Sequence, residues 1–268
     1  RTLFCDGWEF CKTPFGTEYS ATLDFRKTDI PHDWLIYDTN ALYETSTGWY
    51  RKVFNYSKKN GVRTYIRFDG VYMDSAVYVN GEKAGEWKYG YSAFQFDITA
   101  LIRDGSNTVT VRVDHHAPNS RWYSGAGIYR SVWLCETPEI RFGNDGIYIS
   151  TERHENSWNV CVTAELLRPV GTGVSGIRIR NTVIDTDGKH VASTESDVCA
   201  ADISCIPQAA RVDGALYSLT TQNISVPSPK LWDIEQPDLY TLVTEVVLNG
   251  DLLQRVSQKF GFRTAEFT

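Results

Sequence analysis

The sequence predicts an all-β protein built from sandwiches, on three observations. Short runs alternate apolar and polar residues, as in Thr108-Val109-Thr110-Val111-Arg112-Val113, where the valines share one face. Residue pairs suited to tight hairpins punctuate such runs, Asn80-Gly81 and Asn249-Gly250 foremost. No stretch of about 12 residues keeps a convincing helical period, so a strand-helix-strand repeat is not encoded.

Along the chain, Val77-Tyr78-Val79 runs into Asn80-Gly81, both of which accept the positive φ of a type I′ turn. Ile177 and Ile179 alternate with Arg178 and Arg180 ahead of a turn at Asp187-Gly188. Leu239 to Leu248 reaches Asn249-Gly250, and Asp251 to Phe260 returns, a second hairpin. A boundary is expected near Thr137-Pro138, after the apolar run Val132-Trp133-Leu134, because aromatics thin out from Glu139 onward. That gives two sandwiches, residues 1–138 and 139–268, joined near 136–142. Cys199 to Asp213 is weakly periodic and reads as a loop or an edge excursion. Pro227 and Pro229 mark an irregular stretch before Leu231-Trp232.

The net charge of −6, with no run of Lys or Arg, argues against a nucleic-acid partner, which needs a basic stripe to neutralise phosphates. No apolar stretch approaches the roughly 18 residues of a membrane span. Eight Trp, 15 Tyr and 12 Phe against one Met suit β-sheet cores, where most are expected, and also carbohydrate contact. Flat rings pack on the apolar faces of sugars. The six cysteines (Cys5, Cys11, Cys135, Cys161, Cys199, Cys205) include no CxxC pair and are scattered through apparent strands. They read mostly as free thiols, which points to a reducing, cytoplasmic compartment. Asn55-Tyr56-Ser57 and Asn223-Ile224-Ser225 match the glycosylation triplet, a pattern common by chance. With Arg1 in first place and Met73 the only methionine, the chain is expected to start inside a longer or processed product.

Four segments carry the functional reading. The first is Ile30-Pro31-His32-Asp33-Trp34 with Gly48-Trp49-Tyr50-Arg51-Lys52. The second is Phe68-Asp69-Gly70-Val71, then Ala76 to Gly81, Gly85, and Phe94 to Thr99. The third runs from Asn119 to Arg130 as Asn-Ser-Arg-Trp-Tyr-Ser-Gly-Ala-Gly-Ile-Tyr-Arg. The fourth is Leu231-Trp232, Pro237-Asp238-Leu239-Tyr240 and Phe260-Gly261-Phe262-Arg263. In this order they resemble glycoside hydrolase family 2, the β-galactosidases, β-glucuronidases and β-mannosidases, and look most like its bacterial β-galactosidase branch. The resemblance covers essentially the whole chain. It implies an N-terminal jelly-roll domain of the galactose-binding type, then an immunoglobulin-like sandwich, then a TIM barrel holding both catalytic glutamates. The Gly-Phe-Arg element at 261–263 resembles the one that leads into the barrel, so the catalytic residues are expected outside this chain. A retaining glycosidase needs two carboxyls about 5–5.5 Å apart, one of them protonated. No local pattern among the 33 acidic residues singles out such a pair.

Asp33 stands beside a proline in a predicted loop. One reading has it accept hydrogen bonds from sugar hydroxyls at the barrel's mouth, as the resemblance implies. The other makes the motif a structural corner, with Asp33 capping backbone amides and Trp34 in the core. Arg121, Trp122 and Tyr123 lie in a Ser/Gly-flanked loop, where they either border the substrate cleft or close the sandwich. Gly125 and Gly127 are expected to serve backbone geometry. His115 and His116 follow Asp114, but adjacent strand residues face opposite ways and do not easily share an ion, so no metal is expected. No cofactor is expected either. Phe68, Phe94, Trp232 and Tyr240 read as packing.

The sequence is thus read as the non-catalytic N-terminal portion of a retaining β-galactosidase. Its partners are a β-galactoside and its own C-terminal barrel, in a parent that is a homo-oligomer candidate. β-Glucuronidase, or another family 2 hydrolase, is the alternative enzyme. A free-standing carbohydrate-binding module and a structural spacer are the alternatives from other classes.

Overall fold

The computed structural model describes residues 1–119, 125–155, 157–199 and 215–264. All regular structure among them is β-strand. The chain divides into two compact units, Arg1–Thr137 and Pro138–Thr268.

The first unit holds β1 (Thr2–Leu3), β2 (Trp8–Pro14), β3 (Arg26–Thr28), β4 (Ser46–Tyr56), β5 (Val62–Phe68), β6 (Ser75–Val79), β7 (Glu82–Trp87), β8 (Phe94–Asp97), β9 (Gly105–His115) and β10 (Val132–Pro138). A six-stranded sheet runs β3-β2-β4-β9-β6-β7 and a four-stranded sheet runs β1-β10-β5-β8. Both feed one core. Val109, Val111 and Val113 of β9 are fully buried, as their alternation requires, and meet Tyr50, Ile66, Phe68, Val77, Val79, Phe94 and Val132. Asn80 and Gly81, at φ of 54° and 87°, make the turn between β6 and β7.

The second unit holds β11 (Arg141–His154), β12 (Ser157–Pro169), β13 (Ile177–Ile184), β14 (His190–Asp197), β15 (Ala215–Pro227), β16 (Tyr240–Leu248) and β17 (Asp251–Phe260). They form sheets β11-β12-β15 and β14-β13-β16-β17. Ile177 and Ile179 point into the core, with Val160, Val162, Leu166, Ile224, Leu242 and Val246. Arg178 and Arg180, which alternate with the isoleucines, face outward, and Arg180 joins a ladder across the sheet. Glu195 of β14, Arg180 of β13, Glu245 of β16 and Arg255 of β17 stand directly opposite one another in turn. Arg180 Nε lies 2.7 Å from Glu245 Oε2, and Arg255 Nη2 lies 2.6 Å from Glu245 Oε1. Burial alone would raise the Glu245 pKa, but the two guanidinium groups hold it below the ordinary carboxylate range.

Two further features of this unit are not hydrophobic. Gln222 of β15 reaches across the sandwich to receive Asn181 Nδ2 at 2.7 Å. It also donates to the Ile179 carbonyl at 2.9 Å, and Thr244 Oγ1 donates to Asn181 Oδ1 at 2.6 Å. Separately, the pairing of β11 with β12 shifts register between Phe142 and Ile147, a bulge opposite Glu165. Half-buried there, Glu165 has its pKa raised by burial alone.

The five described cysteines are free thiols, which agrees with the reading of scattered strand positions; Cys205 and the 200–213 excursion lie outside the described residues.

Candidate functional site

One end of the first unit gathers the segment 29–45 after β3, the segment 69–74 between β5 and β6, and residues 116–119 and 125–131 between β9 and β10. Backbone hydrogen bonds stitch them together. His32 N donates to the Ile128 carbonyl at 2.8 Å, and Trp34 N to Ala126 at 3.0 Å. Tyr72 and Gly127 exchange both of theirs, at 2.9 and 2.7 Å. Three cis peptides, Ile30-Pro31, Tyr72-Met73 and Ala117-Pro118, lie in these segments.

Asp33 is half-buried at this junction. Its Oδ1 accepts the backbone N–H of Leu35 and that of Ala126, each at 3.0 Å. Oδ2 lies against Gly125, where an added Cβ would stand 2.7 Å away. Trp34 is core, packed on Phe10 and on the Gly48 backbone, with its indole N–H on Ser46 Oγ at 3.1 Å. Both features of the corner reading are therefore present: a carboxylate that holds amides and a buried tryptophan. The geometry holds the half-buried carboxylate at the junction.

Gly125 and Gly127 adopt φ of 76° and 129°, which side chains rarely enter. A Cβ at Gly127 would overlap the Tyr50 hydroxyl and come 2.5 Å from the His32 carbonyl oxygen. Tyr50 is fully buried, and its hydroxyl accepts the Ile128 N–H at 3.4 Å. The same hydroxyl shares a 2.8 Å hydrogen bond with His32 Nδ1. Burial lowers the His32 pKa, with Asp33 partly opposing, which favours the neutral ring.

Arg121, Trp122 and Tyr123 lie outside the described residues. His115 and His116 part as adjacent residues should. His115 Nδ1 donates to the Glu44 carbonyl at 2.6 Å, whereas His116 packs on the Phe15 ring. Among the described residues no three His, Cys, Asp or Glu side chains are grouped to hold a metal. Phe68 and Phe94 are stacked in the core, and Trp232 packs against Gly261 and Arg263. Sequence reasoning missed the exposed tyrosines of this end: Tyr37 beside His32, and Tyr91 against Tyr72.

Comparison with known proteins matches residues 19–138 to the sugar binding domain of glycosyl hydrolases family 2, and residues 144–263 to a second profile of the same family. The chain belongs to glycosyl hydrolase family 2. It is 36% identical over 254 residues to a β-galactosidase of Bacteroides ovatus, covering 90% of this chain and 28% of that protein. It is 28% identical over 260 residues to a β-glucuronidase of Bacteroides fragilis, covering 90% and 35%. A crystal structure of a family 2 member from Bacteroides cellulosilyticus superposes with a TM-score of 0.86 at 28% identity, covering 99% of this chain and 37% of that one. The chain thus spans 28–37% of the length of these relatives. It comprises the family's N-terminal domains: a jelly-roll sandwich of the sugar-binding type, then an immunoglobulin-like sandwich.

Proposed function

We propose that this chain is the non-catalytic N-terminal portion of a retaining β-galactosidase that hydrolyses terminal β-D-galactosides, and that Asp33 belongs to its galactose-binding rim. The observation that carries the reading is the placement of Asp33. A carboxylate gripped by two amides from separate segments is pre-organised, and charge-assisted hydrogen bonds to sugar hydroxyls are about twice as strong as neutral ones. The identity to a β-galactosidase supports the choice of sugar. In this reading the acid/base and nucleophile lie elsewhere in the parent, and the chain alone turns over no β-galactoside. Arg121, Trp122 and Tyr123 are assigned to the same rim on sequence grounds.

The test is Asp33→Asn in the full-length parent. An asparagine Oδ1 still accepts both amides, so the melting temperature is expected to hold. The specificity constant on a β-galactoside falls by the loss of about 2–4 kcal/mol, roughly 30- to 1000-fold. A large melting shift with wild-type kinetics would move Asp33 from the rim to the scaffold. The similarity to a β-glucuronidase supports a second reading, and paired assays on β-galactosides and β-glucuronides separate the two.

A further inference from the structure

We propose that Asn249 is a site of spontaneous covalent modification, where asparagine converts to aspartate and isoaspartate, and that the fold protects the same dipeptide at Asn80. The chemistry is that of an asparagine followed by glycine. The Gly250 amide nitrogen loses its proton and attacks Asn249 Cγ. A new N–Cγ bond forms, the Cγ–Nδ2 bond breaks, and Nδ2 leaves as ammonia, its extra proton supplied by water. Water then opens the cyclic imide at Cγ, which gives aspartate, or at the α-carbonyl, which gives isoaspartate with the chain routed through the side chain. Water is the only co-reactant. Glycine favours the attack because no Cβ shields its nitrogen. None of this depends on which sugar the parent hydrolyses.

The chain carries two matched hairpins. Val79-Asn80-Gly81-Glu82 joins β6 to β7, and Leu248-Asn249-Gly250-Asp251 joins β16 to β17, each an aliphatic residue, Asn-Gly and an acid. In both, the residues flanking the Asn-Gly pair stand opposite each other, Val79 with Glu82 and Leu248 with Asp251. Both ladders shift register at the same step, between Val77 and Tyr78 and between Val246 and Val247. The φ angles agree, 54° and 87° in the first turn, 51° and 98° in the second. Even the asparagine backbone amides are treated alike. Asn80 N donates to the Thr108 carbonyl at 2.8 Å, and Asn249 N to that of Gly176 at 2.9 Å.

The side chains differ. Asn80 Nδ2 donates to the Leu101 carbonyl at 2.9 Å and to Asn107 Oδ1 at 2.8 Å, and Asn80 Oδ1 accepts the Thr108 N–H at 3.0 Å. Asn107 is itself buried, with its Nδ2 on the Arg103 and Gly105 carbonyls at 2.7 and 3.0 Å, so its oxygen is held in place. To bring Cγ over the Gly81 nitrogen the Asn80 carboxamide has to turn, and turning it breaks all three bonds. Asn249 is exposed, and its carboxamide makes no hydrogen bond among the described residues. Its Oδ1 lies on Gly176, which has no Cβ and offers it no donor. Rotation at Asn249 therefore gives up nothing of the kind. Releasing three hydrogen bonds slows Asn80 by roughly 10- to 1000-fold relative to Asn249. A third pair, Asn60-Gly61 between β4 and β5, is exposed and also makes no side-chain hydrogen bond among the described residues, so it reports the chemistry of an unheld pair.

The test is to hold the purified protein in mildly alkaline buffer at physiological temperature and follow the three Asn-Gly peptides by mass after digestion. Isoaspartate is counted by methyl transfer from S-adenosylmethionine under an isoaspartyl methyltransferase. Asn249 should convert at least about tenfold faster than Asn80 in the folded protein. In urea, with the three hydrogen bonds gone, the two should react within about twofold of each other. Equal rates in the folded protein, conversion of neither included, would overturn the assignment, as would an intact Asn249 beside a converting Asn60. A gap that persists in urea would overturn it as well, because the cause would then lie in the flanking sequence and not in the fold.

Discussion

Substituting alanine for Gly127 probes the junction that carries Asp33. Two costs add. The φ of 129° belongs to a region nearly reserved for glycine, worth about 1–3 kcal/mol to a side chain. The new Cβ would also meet a buried hydroxyl and a backbone oxygen, neither able to step aside, and overpacking of that kind costs about 1–3 kcal/mol. The sum is about 2–6 kcal/mol, which for a unit of this size lowers the melting temperature by roughly 6–18 °C. Gly125→Ala is the internal control. Its φ of 76° lies in the left-handed region, and its one close neighbour is the Asp33 side chain, so about 1–2 kcal/mol is expected. Urea unfolding followed by tryptophan fluorescence reads both, since six of the eight tryptophans precede residue 138. Near-equal midpoints for Gly127→Ala and wild type, or a larger loss at Gly125, would refute the account of how the junction is held.

Two carboxylates in the second unit should answer pH in opposite senses. Glu245, held low by Arg180 and Arg255, stabilises the fold above its unfolded pKa, and that contribution fades as pH falls through its lowered value. Glu245→Gln should therefore cost about 1–2 kcal/mol at pH 7, allowing for the exposed arginines, with the gap to wild type closing in acid melts. Glu165, raised by burial, is a burden once ionised. Glu165→Gln should raise the melting temperature at pH 7, and the gain should vanish below about pH 4, where the unfolded carboxyl is also protonated. A pH-independent difference in either variant would remove the electrostatic explanation.

The strands were legible where local chemistry decides them. Asn80-Gly81 and Asn249-Gly250 name their own turns, and the valines of β9 announce the core by their spacing. Less legible was whatever depends on distant partners. The arginines beside Ile179 mark an outer face, but nothing local says that Glu245 and Glu195 will stand opposite Arg180. At the junction the Pro-His-Asp-Trp segment was conspicuous, yet the amide that fixes Asp33 comes from Ala126, 93 residues away. Tyr50 gave no local sign of joining His32 to Ile128. Tyr37 and Tyr91 were hidden by composition. In a chain with 15 tyrosines, an exposed ring looks like a buried one until neighbours are known.

The Asn181–Gln222–Thr244 chain acts as a key between two faces that are otherwise greasy and interchangeable. Valine and isoleucine would tolerate one sheet sliding over the other by a residue pair, since the core volume barely changes. The amides would not, because any slide leaves donors and acceptors stranded at 1% exposure for Asn181 and 6% for Gln222. An all-aliphatic replacement could keep or raise the melting point and still lose this alignment. What the trio confers is a single setting of one sheet on the other, more than extra strength.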